Sequence, residues 1–473
     1  MNYLHGVETI EVDQGARSIN IIKSSVIVLV GIAPIGPVNT LTLVLNPTQA
    51  AQFGQQLPGF TIPQALDAIF KQGPATVVVV NTFSSASNTL DVALESQTIT
   101  GGKIKLSAAP TDTPQIFLTN GTTPFTGVKD VDYSLDAYGN FTALSAVASE
   151  GLVLKFTFKK LDVGTITSAQ IIGTIVGQVK TGTKLFENIF NTYGFYPKIL
   201  LAPGSVELPA VATELISLAV KYRAIALIDA PVTTTVTAAI AGRGPASTMN
   251  FKTASERAYL LCPHIKVYDS DPGAAADSTV ILPYSSFMAG VISFVDSTEG
   301  YWVSPSNHQI QGVAGPEYLV TASVNDATTD ANLLNEKGIT TLFAGYGTGL
   351  RTWGNRSAAF PTDTGVKNFI PIRRTADVVH ESLEQGMLPF IDKPINQATI
   401  DAIRETGNGF FRTLIGRGAC FPGSRCEYLV ADNPPEELAA GHVTFELIFM
   451  SPTPAERITF KSYLDINLLA QII

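Results

Sequence analysis

Two strand-length apolar runs with a helical segment between them place the strongest constraint on the fold of this chain. Ser25–Ala33 contains VIVLV and Thr76–Asn81 contains VVVV, while Pro63–Lys71 carries apolar residues at helical spacing. Each run is far shorter than the roughly twenty apolar residues that a membrane-spanning helix needs. Strand, helix and strand in this order predict the beginning of an α/β unit.

The same pattern returns after residue 195. Phe195–Pro203 and Ala224–Asp229 predict strands, and Val206–Tyr222 between them predicts a helix. More units follow to about Arg374. Between the two α/β segments, from about residue 94 to 182, short alternating strands are separated by Gly, Asn and Pro turns. This texture is typical of a small β-domain, and its position predicts an insertion.

The composition limits the classes of function. Only 15% of the residues are charged, and a mean hydropathy of +0.22 is high for a soluble monomer, which other subunits covering the surface would explain. A net charge of −9 without a dense Lys/Arg stripe argues against nucleic-acid binding. No basic residue precedes Arg17, so we expect no signal peptide and a protein that stays in the cytoplasm where it is made. Three cysteines fit free, buried thiols.

Motifs for metals and cofactors are incomplete. The glycine-rich stretch Gly345–Gly349 lacks the lysine of a phosphate loop, which predicts a turn. Cys262-Pro-His264 and the pair Cys420 and Cys426 lack the spacing of zinc ligands. Asp269–Gly273 lacks the terminal glutamate of a calcium loop and is also predicted to be a turn. We therefore predict no cofactor and no metal.

One stretch suggests proteolytic chemistry. Pro283–Val291 (PYSSFMAGV) contains a Ser near Met-Ala, and the order Asp229, His264, Ser286 matches a subtilisin-type triad. However, Phe287 separates the serine from Met-Ala, and His264 lacks the small neighbours that would let an imidazole approach a nucleophile. We predict no catalytic residues, and keep a subtilisin-like hydrolase as the alternative from a different class.

The C-terminal segment Glu456–Ile473 (ERITFKSYLDINLLAQII) has the alternation of a strand with one apolar face. Ile458, Phe460, Leu464 and Ile466 share that face. No turn or partner strand follows it in this sequence, and an unpaired strand of this kind is unstable in water. We therefore expect it to pair with another chain by β-augmentation.

Several stretches, taken in order and spacing, resemble contractile phage tail sheath proteins over nearly the whole chain. They are His5–Arg17, Ser25–Pro37, Pro197–Gly204, Arg223–Pro231, Gly290–Gly312 with GYWVSPSN at Gly300–Asn307, Ile310–Val313, Leu334–Ile339 (LNEKGI), Arg351–Arg356 (RTWGNR) and Pro452–Leu468.

The resemblance implies an α/β (α+β multidomain) fold: a subtilisin-like α/β core without a catalytic triad, an inserted small β-domain, and extended N- and C-terminal β-arms. The expected units are an N-terminal arm (1–25), the first part of the core (26–93), the inserted domain (94–185), the rest of the core (186–375), a C-terminal α+β domain (376–454) and a C-terminal strand-exchange arm (455–473).

The resemblance also implies a function and its residues. Stacked rings, expected to be hexameric, surround an inner tube, and both arms enter neighbouring subunits and complete a β-sheet there. The exchanged residues are Val7, Ile10, Val12, Ile458, Phe460, Leu464 and Ile466, and the receiving residues are Val443, Phe445 and Leu447, on a strand predicted over Val443–Met450; a second strand is predicted over Glu427–Ala431.

A helical segment near Asn396–Arg417 carries Arg404, Arg412 and Arg417. These arginines are candidates for facing the tube, and a solvated helix packed on the core is the alternative. The expected partners are other copies of this chain, the tail tube protein, and baseplate and tail terminator proteins, without nucleic-acid contact or membrane insertion. The expected location is the virion tail, or the host cytoplasm during assembly. The sheath of a headless tail-like bacteriocin or injection particle remains an alternative.

Overall fold

The computed structural model describes residues 19–345 and 347–467, so Val7, Ile10 and Val12 lie outside the described residues. The strands are β1 (Val26–Gly31), β2 (Thr42–Val44), β3 (Thr76–Asn81), β4 (Thr89–Thr98), β5 (Lys103–Lys105), β6 (Gln115–Leu118), β7 (Tyr133–Leu135), β8 (Asn140–Ala143), β9 (Val153–Leu161), β10 (Ile175–Val176), β11 (Val179–Lys180), β12 (Ile199–Leu201), β13 (Ile225–Asp229), β14 (Ala258–Leu261), β15 (Ile265–Tyr268), β16 (Thr279–Leu282), β17 (Gly315–Pro316), β18 (Ile339–Gly345), β19 (Gly349–Trp353), β20 (Arg425–Glu427) and β21 (Glu446–Ile448). The helices are α1 (Pro47–Ala50), α2 (Ile62–Gln72), α3 (Ser168–Ile172), α4 (Ile189–Tyr193), α5 (Pro209–Tyr222), α6 (Val236–Gly242), α7 (Tyr284–Thr298), α8 (Asp330–Glu336), α9 (Ile370–Met387), α10 (Gln397–Arg417) and α11 (Pro435–Ala439).

The centre of the molecule is an eight-stranded sheet in the order β19-β18-β14-β13-β12-β1-β3-β2. Its six inner strands are parallel, and the two edge strands, β2 and β19, run antiparallel to their neighbours. Val28 in β1 pairs with Leu200 on one side and with Val78 on the other. The predicted strand–helix–strand unit is thus confirmed as β1, α2 and β3.

Helices on both sides of this sheet explain why its central strands β1 and β3 are largely apolar on both faces. Ile27 and Leu29 face a cluster that includes residues of α2 and α7. Val28 and Val30 face the opposite cluster, which includes residues of α5. A parallel strand that is covered on both faces loses the polar alternation of a half-exposed strand. The result is a three-layer core of mixed helices and strands.

Strands β4 to β9 lie between β3 and β12 in the chain and form two three-stranded sheets, β4-β9-β6 and β5-β8-β7. They enclose a separate core of residues that include Phe141, Phe156 and Phe158. The turn predicted at Asp269–Gly273 contacts this part of the chain, because Asp271 accepts hydrogen bonds from Lys105 at 2.5 Å and from Asn140 at 2.7 Å. The closely spaced acids therefore hold two parts of the chain together.

The C-terminal part is built on α9, α10 and the two-stranded hairpin β20–β21. Val379 of α9 and Phe411 of α10 are buried in one apolar cluster. Ile19 and Ile22, at the beginning of the described chain, pack against the same cluster. No helix within residues 19–345 and 347–467 is both long and apolar enough to cross a bilayer.

Two predicted strands are much shorter than expected. Only Arg425–Glu427 and Glu446–Ile448 pair with each other, so the predictions over Glu427–Ala431 and Val443–Met450 are largely wrong. The buried side chain of Asn433 is the physical reason. Its amide nitrogen donates to the carbonyls of Leu429 and Thr444, and its oxygen accepts from the Thr444 backbone at 2.7 Å. Side-chain hydrogen bonds therefore replace the strand pairing at this end of the hairpin.

The strand predicted over Glu456–Ile473 is absent from its described part, because residues 456–467 pair with no strand. A strand is stabilised by hydrogen bonds to a neighbour, and no described residue of the same chain supplies one here. The remaining residues of this segment, 468–473, lie outside the described part of the chain.

Candidate inter-subunit interface

Helix α9 is attached to the core sheet by buried ion pairs. Arg257, which precedes β14, donates to both carboxylate oxygens of Asp377, at 2.7 and 2.8 Å. Arg373 donates to the same carboxylate at 2.9 Å. Because Arg257 and Asp377 are each satisfied by several hydrogen bonds, their burial is tolerated and the position of α9 is specific.

Two further buried pairs hold the same helix. Lys198, which precedes β12, pairs with Glu381, and Arg374 pairs with Asp296 of α7. Burial lowers the pKa of the Lys198 ammonium and raises the pKa of the Glu381 carboxyl, and each partner's charge opposes the shift. Sequence analysis missed all these pairs, although a charged residue directly before an apolar strand, as at Lys198, was an available signal.

The first described residues of the chain and Glu456, the root of the C-terminal segment, lie near opposite ends of α9. At its C-terminal end the backbone of Ile22 donates to Ser382 at 3.3 Å. At its N-terminal end Arg356 lies over the ring of Phe369, 3.7 Å from the centroid, and pairs with Glu456 at the root of the C-terminal arm. The thirteen residues from 369 to 382 span about 20 Å at the helical rise.

The C-terminal arm presents its apolar side chains to solvent. Relative exposure is 71% at Ile458, 90% at Phe460, 103% at Leu464 and 77% at Ile466. Among the described residues, none from 457 to 467 forms a hydrogen bond or an ion pair with the preceding part of the chain. Singly exposed apolar residues are ordinary, but four within nine positions form an apolar surface of the kind that interaction sites present.

The hairpin β20–β21 carries the residues predicted to receive a strand. Phe445 packs on the C-terminal cluster and Val443 is half-buried, but both precede β21, and only Leu447 lies within it. In the described part of the chain neither β20 nor β21 pairs with a third strand. A two-stranded sheet is marginally stable by itself, so its open edges can accept further strands.

The helix predicted near Asn396–Arg417 is confirmed as α10, and it is amphipathic. Phe410, Phe411 and Leu414 are buried against the C-terminal cluster. Two ion pairs lie on the outer face of the helix, Arg404 with Asp401 at 3.1 Å and Arg412 with Glu405 at 3.7 Å. Arg417 is exposed at the C-terminal end of the helix. This placement is compatible with both predicted roles, a tube-facing surface and a solvated helix.

The residues that suggested a protease are all buried. The Ser285 backbone donates to Asp229 at 2.7 Å, and His264 Nε2 lies 2.7 Å from the Ala230 carbonyl oxygen. Burial raises the pKa of the Asp229 carboxyl, an effect that the charge of nearby His264 opposes. The side chains of Asp229, His264 and Ser286 are at most 2% exposed, so a peptide cannot reach them in this conformation.

The other motif predictions have simple structural outcomes. The glycine-rich stretch forms the β18–β19 hairpin turn, in which Gly345 pairs with Gly349. The three cysteines are free and buried, as predicted. Within residues 19–345 and 347–467, no cluster of three His, Cys, Asp or Glu side chains could hold a metal ion.

Comparison with known proteins decides the family. The phage tail sheath protein central domain profile matches residues 178–358. The tail sheath protein of Burkholderia phage BcepMu is 44% identical over 465 residues, covering 98% of this chain and 96% of that protein. The chain belongs to the phage tail sheath protein family. Escherichia phage P2 has a more distant tail sheath protein that is 28% identical and covers 64% of this sheath protein and 74% of its own length.

Solved structures extend the likeness of this sheath protein to its whole fold. The anti-feeding prophage helical sheath in the contracted state superposes with a TM-score of 0.62 at 16% identity, over 98% of this chain and 100% of that one. The PVC sheath complex of an extracellular contractile injection system, also contracted, gives 0.60 at 16% identity over 99% of both chains. The sheath protein described here is a structural subunit of a contractile tail.

Proposed function

We propose that this sheath subunit polymerises into stacked, six-membered rings around a tail tube, and that the rings are linked by exchanged β-strands. The observation that carries this proposal is the C-terminal arm, whose apolar face is solvent-exposed in the isolated subunit. Pairing with the β20–β21 hairpin of a neighbour would bury that face and satisfy its backbone hydrogen bonds. Val7, Ile10 and Val12 of the N-terminal arm are proposed to join the same sheet.

Each subunit then donates strands to one neighbour and receives them from another. Such a contact is heterologous, since the two surfaces differ, and it extends into a helical lattice rather than closing as a dimer. The subunit could thus build a sheath of any length from one interface.

We further propose that contraction is a movement of rigid bodies connected by these arms. The ion pairs of Asp377 and Glu381 keep α9, and with it the roots of both arms, in place on the core sheet. The core can rotate and slide in the lattice while the exchanged strands remain paired. Energy stored during assembly, rather than nucleotide hydrolysis, would drive the tube through the target envelope.

The finer parts of the fold belong to the same proposal. The core is subtilisin-like in topology, residues 94–185 form an inserted domain on the outer surface, and residues 376–454 form the C-terminal domain. The burial of Asp229, His264 and Ser286 supports a non-enzymatic role for that core. The exposed arginines of α10 support a contact with the tube, and sheath ends would contact baseplate and terminator proteins.

Negative-stain electron microscopy of the purified full chain tests the proposed assembly. Striated tubes of uniform diameter are expected. Discrete particles of fixed size, or only monomers at high protein concentration, would contradict it. The virion tail, with assembly in the host cytoplasm, is the proposed location.

A headless injection particle is a second candidate for the assembly that contains this subunit. The two contracted sheaths that share its fold come from an anti-feeding prophage and an extracellular injection system. Microscopy of particles released from producing cells separates the candidates, because only an infectious phage carries a DNA-filled head on the sheathed tail.

A further inference from the structure

Within its described residues, 456–467, the C-terminal arm is bonded to the body by the ion pair between Arg356 and Glu456. The Arg356 guanidinium donates to both carboxylate oxygens, at 3.0 Å and 2.5 Å. It also donates to Asn368 at 2.6 Å and lies between the rings of Phe360 and Phe369. The arginine is therefore held rigidly from the body side, and only Glu456 can leave.

Burial along the chain marks the same point. Ser451 is 2% exposed, and the Met450 carbonyl accepts a hydrogen bond from Phe421 at 2.9 Å. From Glu456 to residue 467 every described residue is exposed. If Glu456 were released, the next firm attachment would be at Ser451, five residues earlier.

We propose that the Arg356–Glu456 ion pair is a releasable clamp that sets how far the exchanged strand can reach from the subunit. This inference rests on the proposed strand exchange. With the clamp closed, Ile458 is two residues from its anchor and can lie at most about 7 Å away. With the clamp open, seven residues separate it from Ser451, which allows about 24 Å.

The chemistry of the clamp suits a device that opens. The side chain of Glu456 is 46% exposed even when paired, so water can hydrogen-bond to its carboxylate in place of Arg356 when the pair separates. An exposed pair is held far less strongly than the buried pairs of α9. A sheath that changes between two lattices without breaking its strand pairs needs this additional length in one of them.

Limited trypsin digestion of the unassembled full chain tests whether the clamp exists. Arg457 directly follows Glu456, so the rate of cleavage after Arg457 reports how often Glu456 separates from Arg356. Cleavage after Lys461 reports on the exposed part of the arm beyond the clamp. Arg356→Met leaves the sequence around Arg457 unchanged. It should raise the rate of cleavage at Arg457 at least threefold, without changing the rate of cleavage at Lys461. The matched control Arg351→Met, on a neighbouring strand and bonded to the Asn307 carbonyl instead, should change neither rate.

Glu456→Gln removes the pair from the arm side, where it cannot disturb the packing of Arg356, and should increase the rate of amide hydrogen exchange at residues 452–457 severalfold. An unchanged exchange rate in Glu456→Gln would overturn the clamp. So would faster cleavage of Arg356→Met at Arg457 that is fully explained by a lower global stability of that variant.

The distance over which the exchanged strand can extend is tested by preventing Glu456 from separating from Arg356. A chain with Arg356→Cys and Glu456→Cys can be joined by a short bis-maleimide, because the native cysteines are buried. We expect cross-linked sheaths to stay at a single length under conditions that shorten uncross-linked sheaths of the same variant. Equal shortening would overturn the proposal. If a chain without residues 457–473 still forms sheaths, strand exchange is refuted. That failure can be told apart from a failure of the clamp, because the trypsin and hydrogen-exchange results do not depend on assembly.

Discussion

Arg257 and Asp377 form a buried two-point ion pair across 120 positions of the sequence, with N–O distances of 2.7 and 2.8 Å. Arg257 precedes a central strand of the core sheet, and Asp377 lies on α9, whose ends adjoin the roots of both arms. The relative position of core and arms therefore depends on a few buried charges.

Replacing Asp377→Asn should destabilise the subunit by about 3–5 kcal/mol, because Arg257 and Arg373 then remain buried without a charged partner. Chemical denaturation of the unassembled subunit measures the change in the free energy of unfolding. The control Glu336→Gln removes an exposed pair with Lys337 and should cost less than about 1 kcal/mol. Similar losses in both variants would contradict the structural role of α9.

Deleting residues 456–473 should leave a folded, soluble subunit that forms no sheath, because the described part of the segment, residues 456–467, is exposed throughout. Thermal unfolding checks the fold, and negative-stain microscopy checks assembly. Normal sheaths formed by the truncated chain would contradict the strand-exchange proposal.

The alternation within the arm predicts different effects for neighbouring residues. Phe460→Ser should abolish or strongly weaken sheath formation, since its ring is expected in a neighbour's sheet. Tyr463→Ser is the matched control: it removes another aromatic ring, 86% exposed against 90% for Phe460, from the opposite face. Both variants should unfold like the wild type. Assembly defects of equal size would show that the period-2 face is not what the neighbour binds.

Charge reversal on α10 tests the tube contact. Arg404→Glu together with Arg412→Glu should reduce co-sedimentation with the tube protein, because a surface on which the arginines balance Asp401 and Glu405 becomes strongly negative, while self-assembly is retained. Lys129→Glu, an exposed change in the segment between β6 and β7, serves as the control. Unchanged co-assembly of the α10 variant would favour the solvated-helix interpretation.

Acid should weaken the contact of Glu187 with Lys221 and Lys180, whose ammonium groups lie 2.7 and 2.9 Å from its carboxylate. Hydrogen bonds from the two lysines, Lys221 first, lower the pKa of Glu187 to about 2 from 4.5. A lowered folded-state pKa contributes stability above the unfolded value that is lost as the pH falls towards 2. Glu187→Gln should therefore lose less stability than the wild type between these values in acid-titration denaturation. The effect is small because the carboxylate is 38% exposed, and identical pH profiles would contradict it.

Several features could be predicted from the sequence because they depend on local patterns. The apolar runs in β1 and β3, the helix that became α10 and the turn at Gly345–Gly349 are all visible as periodicity or glycine content. The alternation of the C-terminal arm was visible in the same way, and its exposure agrees with a segment that has no partner within the described chain.

Contacts between distant residues could not be read in this way. Asn433 shortens the hairpin through hydrogen bonds to Leu429 and Thr444, and no local pattern distinguishes it from any other loop asparagine. The protease alternative could not be judged from the sequence for the same reason: order along the chain paired Ser286 with Asp229, whereas the structure places the Ser285 backbone there and closes the site to solvent.

The sequence by itself thus determined which segments are buried strands and which terminal segment alternates between apolar and polar residues, because this pattern is set residue by residue. Only the tertiary structure decided where the arms begin. The pairs Arg257–Asp377 and Arg356–Glu456 join residues that are 120 and 100 positions apart. Such pairs are selected by the packing of the sheet and helices, which brings particular charges together at sites where water is excluded or restricted.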